Sequence, residues 1–264
     1  MAAQWTWSVF TKEWGGLDAP ALAQLVSGLG FSAIELPVRP GCRVTPDNVA
    51  TVLPGFAATL QEQGVSITSV AAELDERVLA ACAEAGVPLL RIMPRVARPY
   101  RDSVRMVQQH LADNATLVEK YGVTVGVQHH HGPYLTTAIA VRDLLDPLPG
   151  CYGVIWDAGH EGLANQDLPT SLEAVWDRLV QVNLKNAVLE RIPVDDGLGV
   201  REAYARHQWV DGPDGFADWP VALATLVELG WDGPVCLCAE YSGDQSRTAE
   251  RVRADLAHAR SLIE

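Results

Sequence analysis

Residues 153–160 read Gly-Val-Ile-Trp-Asp-Ala-Gly-His, and this stretch decides how the rest of the chain is interpreted. Its first half is a continuous apolar run, which is typical of a strand buried on both faces of a parallel sheet. The run ends in Asp157, a small-residue turn follows, and His160 comes three residues later. A parallel sheet presents its chemistry to solvent at such strand ends. The alternative is that Asp157 only caps the next turn and that His160 is a surface residue.

Short apolar strands recur along the whole chain, and each is followed by a helical pattern. The predicted strands cover residues 5–10, 33–38, 65–71, 89–93, 124–128, 152–157, 180–185 and 235–241. Strict alternation predicts parallel pairing with helical crossovers. Eight units in 264 residues match an α/β fold of the closed (β/α)8 TIM barrel type, with an open doubly wound sheet as the alternative. No linker interrupts the pattern, so we expect residues 1–264 to form a single domain.

Composition limits the classes of partner. A formal net charge of −13 argues against nucleic-acid binding, because an acidic chain repels phosphate backbones. The arginine-rich segment 91–105 is either a solvated face or a receiver for an anionic substrate. Five cysteines without a metal or disulfide spacing indicate free thiols in a reducing cytoplasm. Neither a signal peptide nor a membrane-length apolar run is found, so we expect a cytoplasmic protein with no membrane partner and leave homo-oligomers open.

Polar side chains cluster at the ends of strands five to eight, where a barrel of this type carries its catalytic groups. Two carboxylates, two amides and nearby histidines suit a divalent ion of the magnesium or manganese kind. Such an ion polarises a carbonyl or a hydroxyl while a carboxylate moves a proton. The residues are Gln128, His129, His130, His131, Asp157, His160, Asn183, Lys185 and Glu240.

Three further features bear on a site. Glu35 lies inside the second predicted strand, where a carboxylate is either salt-bridged or lines the barrel, and Arg91 lies in the fourth. A long loop is predicted over residues 187–214, after strand seven. We expect it to cover the site and to help choose the substrate, with a dimer contact as the alternative. Its Trp209 could stack on the apolar face of a sugar ring.

Five short motifs, in order, resemble the xylose-isomerase-like TIM-barrel superfamily, specifically its sugar phosphate isomerase/epimerase group. They are GFSAIELP at residues 30–37, VQHHHG at 127–132, WDAGH at 156–160, VNLKN at 182–186 and AEY at 239–241. The resemblance covers essentially the whole chain. It implies a divalent-metal-dependent isomerase or epimerase that acts on a small-molecule sugar, keto-sugar or polyol.

The resemblance also implies a ligand set for the metal, which in the family is a glutamate, an aspartate, a histidine and a glutamate on strands five to eight. Asp157 and Glu240 match this pattern, whereas Gln128 stands in place of glutamate and Asn183 in place of histidine. We expect these four residues to hold manganese or magnesium, or else zinc or cobalt, more weakly than the family does. Alternatively, the neighbouring His130, His131 or His160 joins the ligand set, and His130 is the one we include.

The resemblance implies that Glu240 acts as the base. From the residues themselves we expect Lys185 and His160 to supply the second proton relay. The substrate would be contacted by His129, His131, Glu35, Arg91 and Trp209. The alternatives are a lyase of the keto-inositol dehydratase type, or a non-catalytic or partner-dependent barrel with a degraded metal site. An abasic-site endonuclease on this barrel would need a basic groove, which the net charge argues against.

Overall fold

Eight parallel strands close into a barrel in the computed structural model, which describes residues 5–195, 197 and 199–264. The barrel strands are β1 (Thr6–Phe10), β2 (Ala33–Pro37), β3 (Ser66–Ala71), β4 (Leu89–Ile92), β5 (Thr124–Gln128), β6 (Tyr152–Asp157), β7 (Leu179–Leu184) and β10 (Pro234–Leu237), and the hairpin strands β8 (Asn186–Asp195) and β9 (Val200–Val210) lie outside the ring. β1 pairs with both β2 and β10 and so closes the sheet. The predicted TIM barrel is confirmed.

Helices cover the outside of the barrel. They are α1 (Ala19–Leu29), α2 (Val49–Glu62), α3 (Glu76–Glu84), α4 (Tyr100–Tyr121), α5 (Ala138–Leu145), α6 (Ala158–Leu163), α7 (Leu168–Val175), α8 (Trp219–Leu229) and α9 (Thr248–Ser261). In α1, Asp18 accepts a hydrogen bond from the Ala21 amide, and Gly30 ends the helix at φ +94°. The apolar core lies between helices and strands and includes Trp156 and Trp219, both fully buried.

Two elements differ from the prediction. Residues 187–214 are not a loop: β8 and β9 pair antiparallel from Asn186 opposite Val210 to Asp195 opposite Val200. Charged residues interleave with apolar ones along both strands, so neither presents the buried run by which the barrel strands are recognised. The short helix α6 was also not predicted, and it starts where Asp157 caps it directly after β6.

The inside of the barrel is polar and cross-linked rather than packed with aliphatic side chains. Glu35 is fully buried, and its Oε2 accepts hydrogen bonds from Ser69 Oγ at 3.0 Å and Gln181 Nε2 at 2.7 Å. Its Oε1 accepts from Nε of Arg91 at 2.6 Å. Glu35 therefore meets both expectations, because it forms a salt bridge with Arg91 and also lines the inside of the barrel.

Two further findings concern the surroundings of the barrel. Among the residues that the structure describes, no helix is both long and apolar enough to cross a membrane. All five cysteines are free, as their spacing predicts. Cys236 is buried in the barrel interior beside Phe10 and Ala71, where it serves as a small packing residue.

Candidate active site

A lysine ammonium lies between two carboxylates at the end of the barrel where the strands terminate. Lys185 follows β7, and its Nζ is 3.2 Å from Oε2 of Glu240 and 3.7 Å from Oδ2 of Asp157. Lys12, the first residue of a 3-10 helix (Lys12–Trp14) after β1, places its Nζ 2.7 Å from Oε1 of Glu240. The side chains of Lys185 and Asp157 are 5% and 0% exposed. These four residues form an alternating row of charges, which we call the charge row.

Opposite charges keep most of the charge row ionised. Burial favours the neutral form of Glu240, but Lys185 and Lys12 outweigh it and lower its pKa to about 2. Burial likewise opposes the charge on Lys185, yet Asp157 and Glu240 raise its pKa above the ordinary value. For Asp157 burial prevails over Lys185, and its pKa is raised. Glu240 is therefore a carboxylate and Lys185 an ammonium at neutral pH.

The turn after β6 is shaped around the charge row. Asp157 ends the strand and caps α6, and its Oδ1 accepts a hydrogen bond from the His160 amide at 3.2 Å. At Gly159, an added Cβ would lie 2.9 Å from Cγ of Lys185 and 3.0 Å from the Lys185 carbonyl oxygen. Because only glycine leaves this space, the segment 156–160 positions both Asp157 and Lys185.

Gln128 turns its amide nitrogen, not its oxygen, toward Asp157. Its Nε2 donates to Oδ2 of Asp157 at 2.6 Å, and its Oε1 accepts from Nη1 of Arg91. An arginine side chain can only donate, so Arg91 fixes which way the amide of Gln128 faces. Asn183 is engaged in the same way, because its Oδ1 accepts from Nε2 of Gln181 at 2.8 Å.

This arrangement does not fit a metal ion held at the strand ends. Both amide oxygens accept hydrogen bonds from other side chains, and the Lys185 ammonium stands between the two carboxylates. A cation in that place repels a second cation and already balances the carboxylates. The predicted ligands that do not fit are Gln128, Asp157, Asn183 and Glu240, whereas His130, the fifth predicted ligand, lies in a separate group of histidines.

A cluster of three histidines provides a better place for a metal ion. Ligand nitrogens of His130, His131 and His160 lie within 4.8 Å of one another. The Nδ1 atoms of His131 and His160 are 3.3 Å apart, and Nδ1 of His160 also accepts a hydrogen bond from the His131 amide at 3.4 Å. Nδ1 of His130 donates to the His131 carbonyl oxygen at 2.7 Å, which leaves its Nε2 as a ligand.

Two properties of this histidine cluster suit metal binding. Nε2 of His160 is buried without a hydrogen-bond partner in the described part of the chain. Burial lowers the pKa of His130 and of His131 to about 4 and that of His160 well below its ordinary value. Lys185 also lowers the pKa of all three rings, and the same positive charge opposes a cation there. The imidazoles are therefore neutral at pH 7, which is the form that binds metals.

The β8–β9 hairpin covers the charge row. Nζ of Lys185 lies 4.3 Å from the centre of the Trp209 ring, a cation–π contact. The same ring meets His160 edge-on, with 5.3 Å between ring centres. Trp209 is tied to the loop after Glu240, because its amide donates to Oγ of Ser242 and its carbonyl accepts from the Ser242 amide, both at 2.9 Å. The segment predicted to cover the site lies where it was expected, although as a hairpin.

Three predicted site residues, His129, Glu35 and His160, are buried beneath the charge row. His129 is fully buried, burial lowers its pKa to about 3, and its Nε2 accepts a hydrogen bond from the Asp157 amide at 2.9 Å. Glu35 uses both oxygens inside the barrel, so direct substrate contact does not fit either residue. His160 is also fully buried, and its amide supports Asp157 from below. The direct proton relay predicted for His160 therefore does not fit its position.

A cavity of about 120 Å³ opens beside the charge row. Its walls include Lys12, Arg39, Arg91, Lys185 and Glu240. Sequence reasoning missed Lys12 and Arg39, although each lies two residues beyond the end of its strand. A polar residue at or just beyond the end of a barrel strand is the signal that identifies the site residues of strands five to eight. The same signal at β1 and β2 identifies Lys12 and Arg39.

A closed parallel barrel with charged groups gathered at its strand ends defines the enzyme-type TIM barrels. Within that class, the model of the xylose isomerase-like TIM barrel family matches residues 23–262, and the chain belongs to this family. The predicted resemblance is confirmed.

Relatives of this barrel include a dehydratase and an epimerase. An inosose dehydratase of Lactiplantibacillus plantarum is 26% identical over 151 residues, or 54% of this chain, and the chain spans about half (48%) of the length of that relative. The structure of 3-keto-D-glucoside 4-epimerase from E. coli aligns with a TM-score of 0.73 at 15% identity, over 97% of this chain and 99% of that one. A structure of the IOLI protein with a bound zinc atom aligns with a TM-score of 0.73 at 14% identity, over 98% and 99%. At these identities the two structures show a shared fold.

Proposed function

We propose that this protein is a carbohydrate isomerase or epimerase that removes a proton from a carbon next to a carbonyl group. The observation that carries the proposal is the contact of Lys185 with Glu240 at the wall of the cavity, where a base and a cation face the same space. The names of its relatives, an epimerase and an inosose dehydratase, support a carbohydrate substrate.

Glu240 is the proposed base, and substrate binding is what makes it basic enough. With a pKa of about 2, its carboxylate is a weak base at neutral pH. A substrate oxygen that accepts a hydrogen bond from Lys185 competes with Glu240 for the ammonium. The pKa of Glu240 then rises toward the working range, because Lys185 is the largest influence that lowers it.

Lys185 is the proposed group that stabilises the charge formed in this step. As the proton leaves, negative charge builds up on the carbonyl oxygen, and a fixed ammonium beside that oxygen lowers the barrier. Asp157, at 3.7 Å, holds the ammonium in place. Trp209 is proposed to stack on the apolar face of the sugar ring.

Dehydration is a second candidate, and the identity of residue 128 favours it. An epimerase with two equivalent bases needs a carboxylate on each face of the substrate, and Gln128 supplies an amide. Glu240 and Lys185 are unlike groups, a base and an acid. In a dehydration, Glu240 takes the proton from the carbon next to the carbonyl, and Lys185 protonates the hydroxyl on the neighbouring carbon, which leaves as water. The electrons of the broken C–H bond form the carbon–carbon double bond.

A divalent ion belongs to the proposal only at the histidine cluster. His130, His131 and His160 would hold it, and when bound it would polarise a substrate carbonyl or hydroxyl. The proton transfers assigned to Glu240 and Lys185 do not depend on it.

The test is a panel of keto-sugars and inososes incubated in deuterated water. NMR would detect deuterium entering the carbon next to the carbonyl, which reports isomerisation or epimerisation, and the loss of water, which reports dehydration. Glu240→Gln should lower the rate about 100- to 10,000-fold, since it removes the base. Glu250→Gln is the matched control, because Glu250 is an exposed carboxylate paired with Arg247 on α9. Full turnover in Glu240→Gln, or no exchange with any compound, would contradict the proposal.

A further inference from the structure

A second cavity lies next to the catalytic one. It has a volume of about 360 Å³, and it shares Arg39, Arg91 and Met93 with the 120 Å³ cavity beside the charge row. Arg95 and Tyr134 line its outer part. A ligand in the larger cavity therefore lies one side chain away from the groups assigned to the reaction.

Two of the arginines that line this cavity lack an acidic partner. Arg39 is half-buried, with its guanidinium carbon 5.6 Å from the centre of the Phe10 ring. Arg95 lies at the same distance from the ring of Tyr134. Within residues 5–195, 197 and 199–264, neither guanidinium has an ion pair or a side-chain hydrogen bond. Arg91 differs, because Glu35 neutralises it inside the barrel.

Arg39 stands half-buried without an ion pair in the described part of a chain that has 33 acidic and 20 basic residues. Burial removes part of the hydration of the Arg39 guanidinium, and only its contact with the Phe10 ring offsets that loss, whereas Arg95 is exposed. Burial and the nearby Arg91 lower the pKa of Arg39, and the opposing influence of Glu240 and Glu35 does not offset them. Glu73 also lines the cavity, but it is exposed and forms no ion pair with either arginine in the described structure. A bound anion would relieve this imbalance.

We propose that Arg39 and Arg95 bind an anionic group of the substrate, a carboxylate or a phosphate, in the larger cavity. The guanidinium group presents a planar fork of donors that matches two oxygens of either anion. The substrates are then sugar acids or phosphosugars rather than neutral sugars. The carbonyl end of the same molecule would extend past the shared residues Arg39, Arg91 and Met93 into the smaller cavity, where it meets Lys185 and Glu240. Only this part of the inference rests on the proposed function.

Binding without turnover provides the test. Isothermal titration calorimetry at low salt would compare inorganic phosphate, D-glucuronate and D-glucose with the full chain, with Arg39→Gln and with Arg95→Gln. Arg105→Gln is the matched control, since Arg105 is an exposed arginine of the same segment that pairs with Asp102. Glucuronate or phosphate should bind at least tenfold more tightly than glucose. Each cavity substitution should weaken that binding about tenfold to 100-fold, the loss expected for one charged hydrogen-bond donor.

The outcomes separate the anion site from the reaction. Stronger binding of glucuronate identifies a sugar acid, and stronger binding of phosphate identifies a phosphosugar. Equal binding of glucose and glucuronate, or equal weakening in Arg105→Gln, would overturn the anion site. A protein that binds an anion through Arg39 but exchanges no deuterium keeps this site and loses the proposed reaction. Should Arg39→Gln fail to fold, as judged by circular dichroism, the exposed Arg95→Gln variant decides the question.

Discussion

Replacing Lys185 with methionine should destabilise the protein by leaving buried carboxylates without their counter-ion. Methionine is unbranched and apolar like the stem of lysine and only one atom shorter, so the change removes mainly the charge. Asp157 would lose the ammonium 3.7 Å away, and Glu240 would lose the closer contact at 3.2 Å. Lys12 would remain on the other oxygen of Glu240.

The magnitude follows from burial. Removing one partner of a buried ion pair costs about 3–5 kcal/mol. Because Lys12 still pairs with Glu240, we expect the lower end, about 3 kcal/mol, in the free energy of unfolding at pH 7. Lowering the pKa of Glu240 from 4.5 to about 2 also corresponds to about 3 kcal/mol, a contribution shared between Lys185 and Lys12.

The dependence on pH distinguishes this effect from a packing defect. A carboxylate whose pKa is lowered on folding stabilises the protein above its unfolded pKa and loses that contribution as pH falls through the folded pKa. For Glu240 this window runs from 4.5 down to about 2. The difference between wild type and Lys185→Met should therefore be largest above pH 4.5 and should shrink as the pH approaches 2.

Urea denaturation followed by circular dichroism at pH 7 and at pH 3 would measure both quantities. Lys120→Met is the control, because Lys120 pairs with Glu76 on the surface and its loss should matter little. The double variant Lys185→Met/Glu240→Gln should recover part of the loss, since one carboxylate is no longer left unpaired. A loss below about 1 kcal/mol at pH 7, or an equal loss at both pH values, would refute the charge row as the source of stability.

Two further predictions test the space around the site. Metal-stripped wild type should bind one cobalt or zinc ion per chain. His160→Asn should lose this binding, and Asn183→Ala should keep it. Loss of binding in Asn183→Ala alone would instead place the metal ion at the strand ends. Gly159→Ala should lower the free energy of unfolding by about 1–3 kcal/mol, because its Cβ meets Lys185 at 2.9 Å, and an unchanged urea midpoint would show that the turn can shift.

Much of the site is predictable from sequence because barrel geometry converts strand ends into neighbours. Asp157, Lys185 and Glu240 lie far apart in the chain, yet each follows a parallel strand, so they meet at one end. Lys12 and Arg39 obey the same rule and were overlooked only because it was not extended to the first strands. The hairpin was missed for another reason, since its strands lack a buried face.

The orientation of Gln128 lies beyond sequence reasoning. Glutamine in place of glutamate keeps an oxygen, so the sequence allows a ligand there. The structure shows that this oxygen faces Arg91 on the neighbouring strand, and Arg91 in turn is held by Glu35. Which end of an amide faces a site depends on such contacts across the barrel, and no local pattern encodes them.

The hydrogen-bonded interior of the barrel also constrains how this sequence can change over generations. Glu35 accepts from Arg91, Ser69 and Gln181 at once. Replacing Arg91 alone would leave a buried carboxylate without its partner, and replacing Glu35 alone would leave a buried guanidinium without its partner, so either change by itself should destabilise the fold. Lineages descending from this chain should therefore exchange the two residues together. Residues of the barrel interior should then change in correlated pairs among related sequences, whereas apolar residues between the strands and helices should change independently.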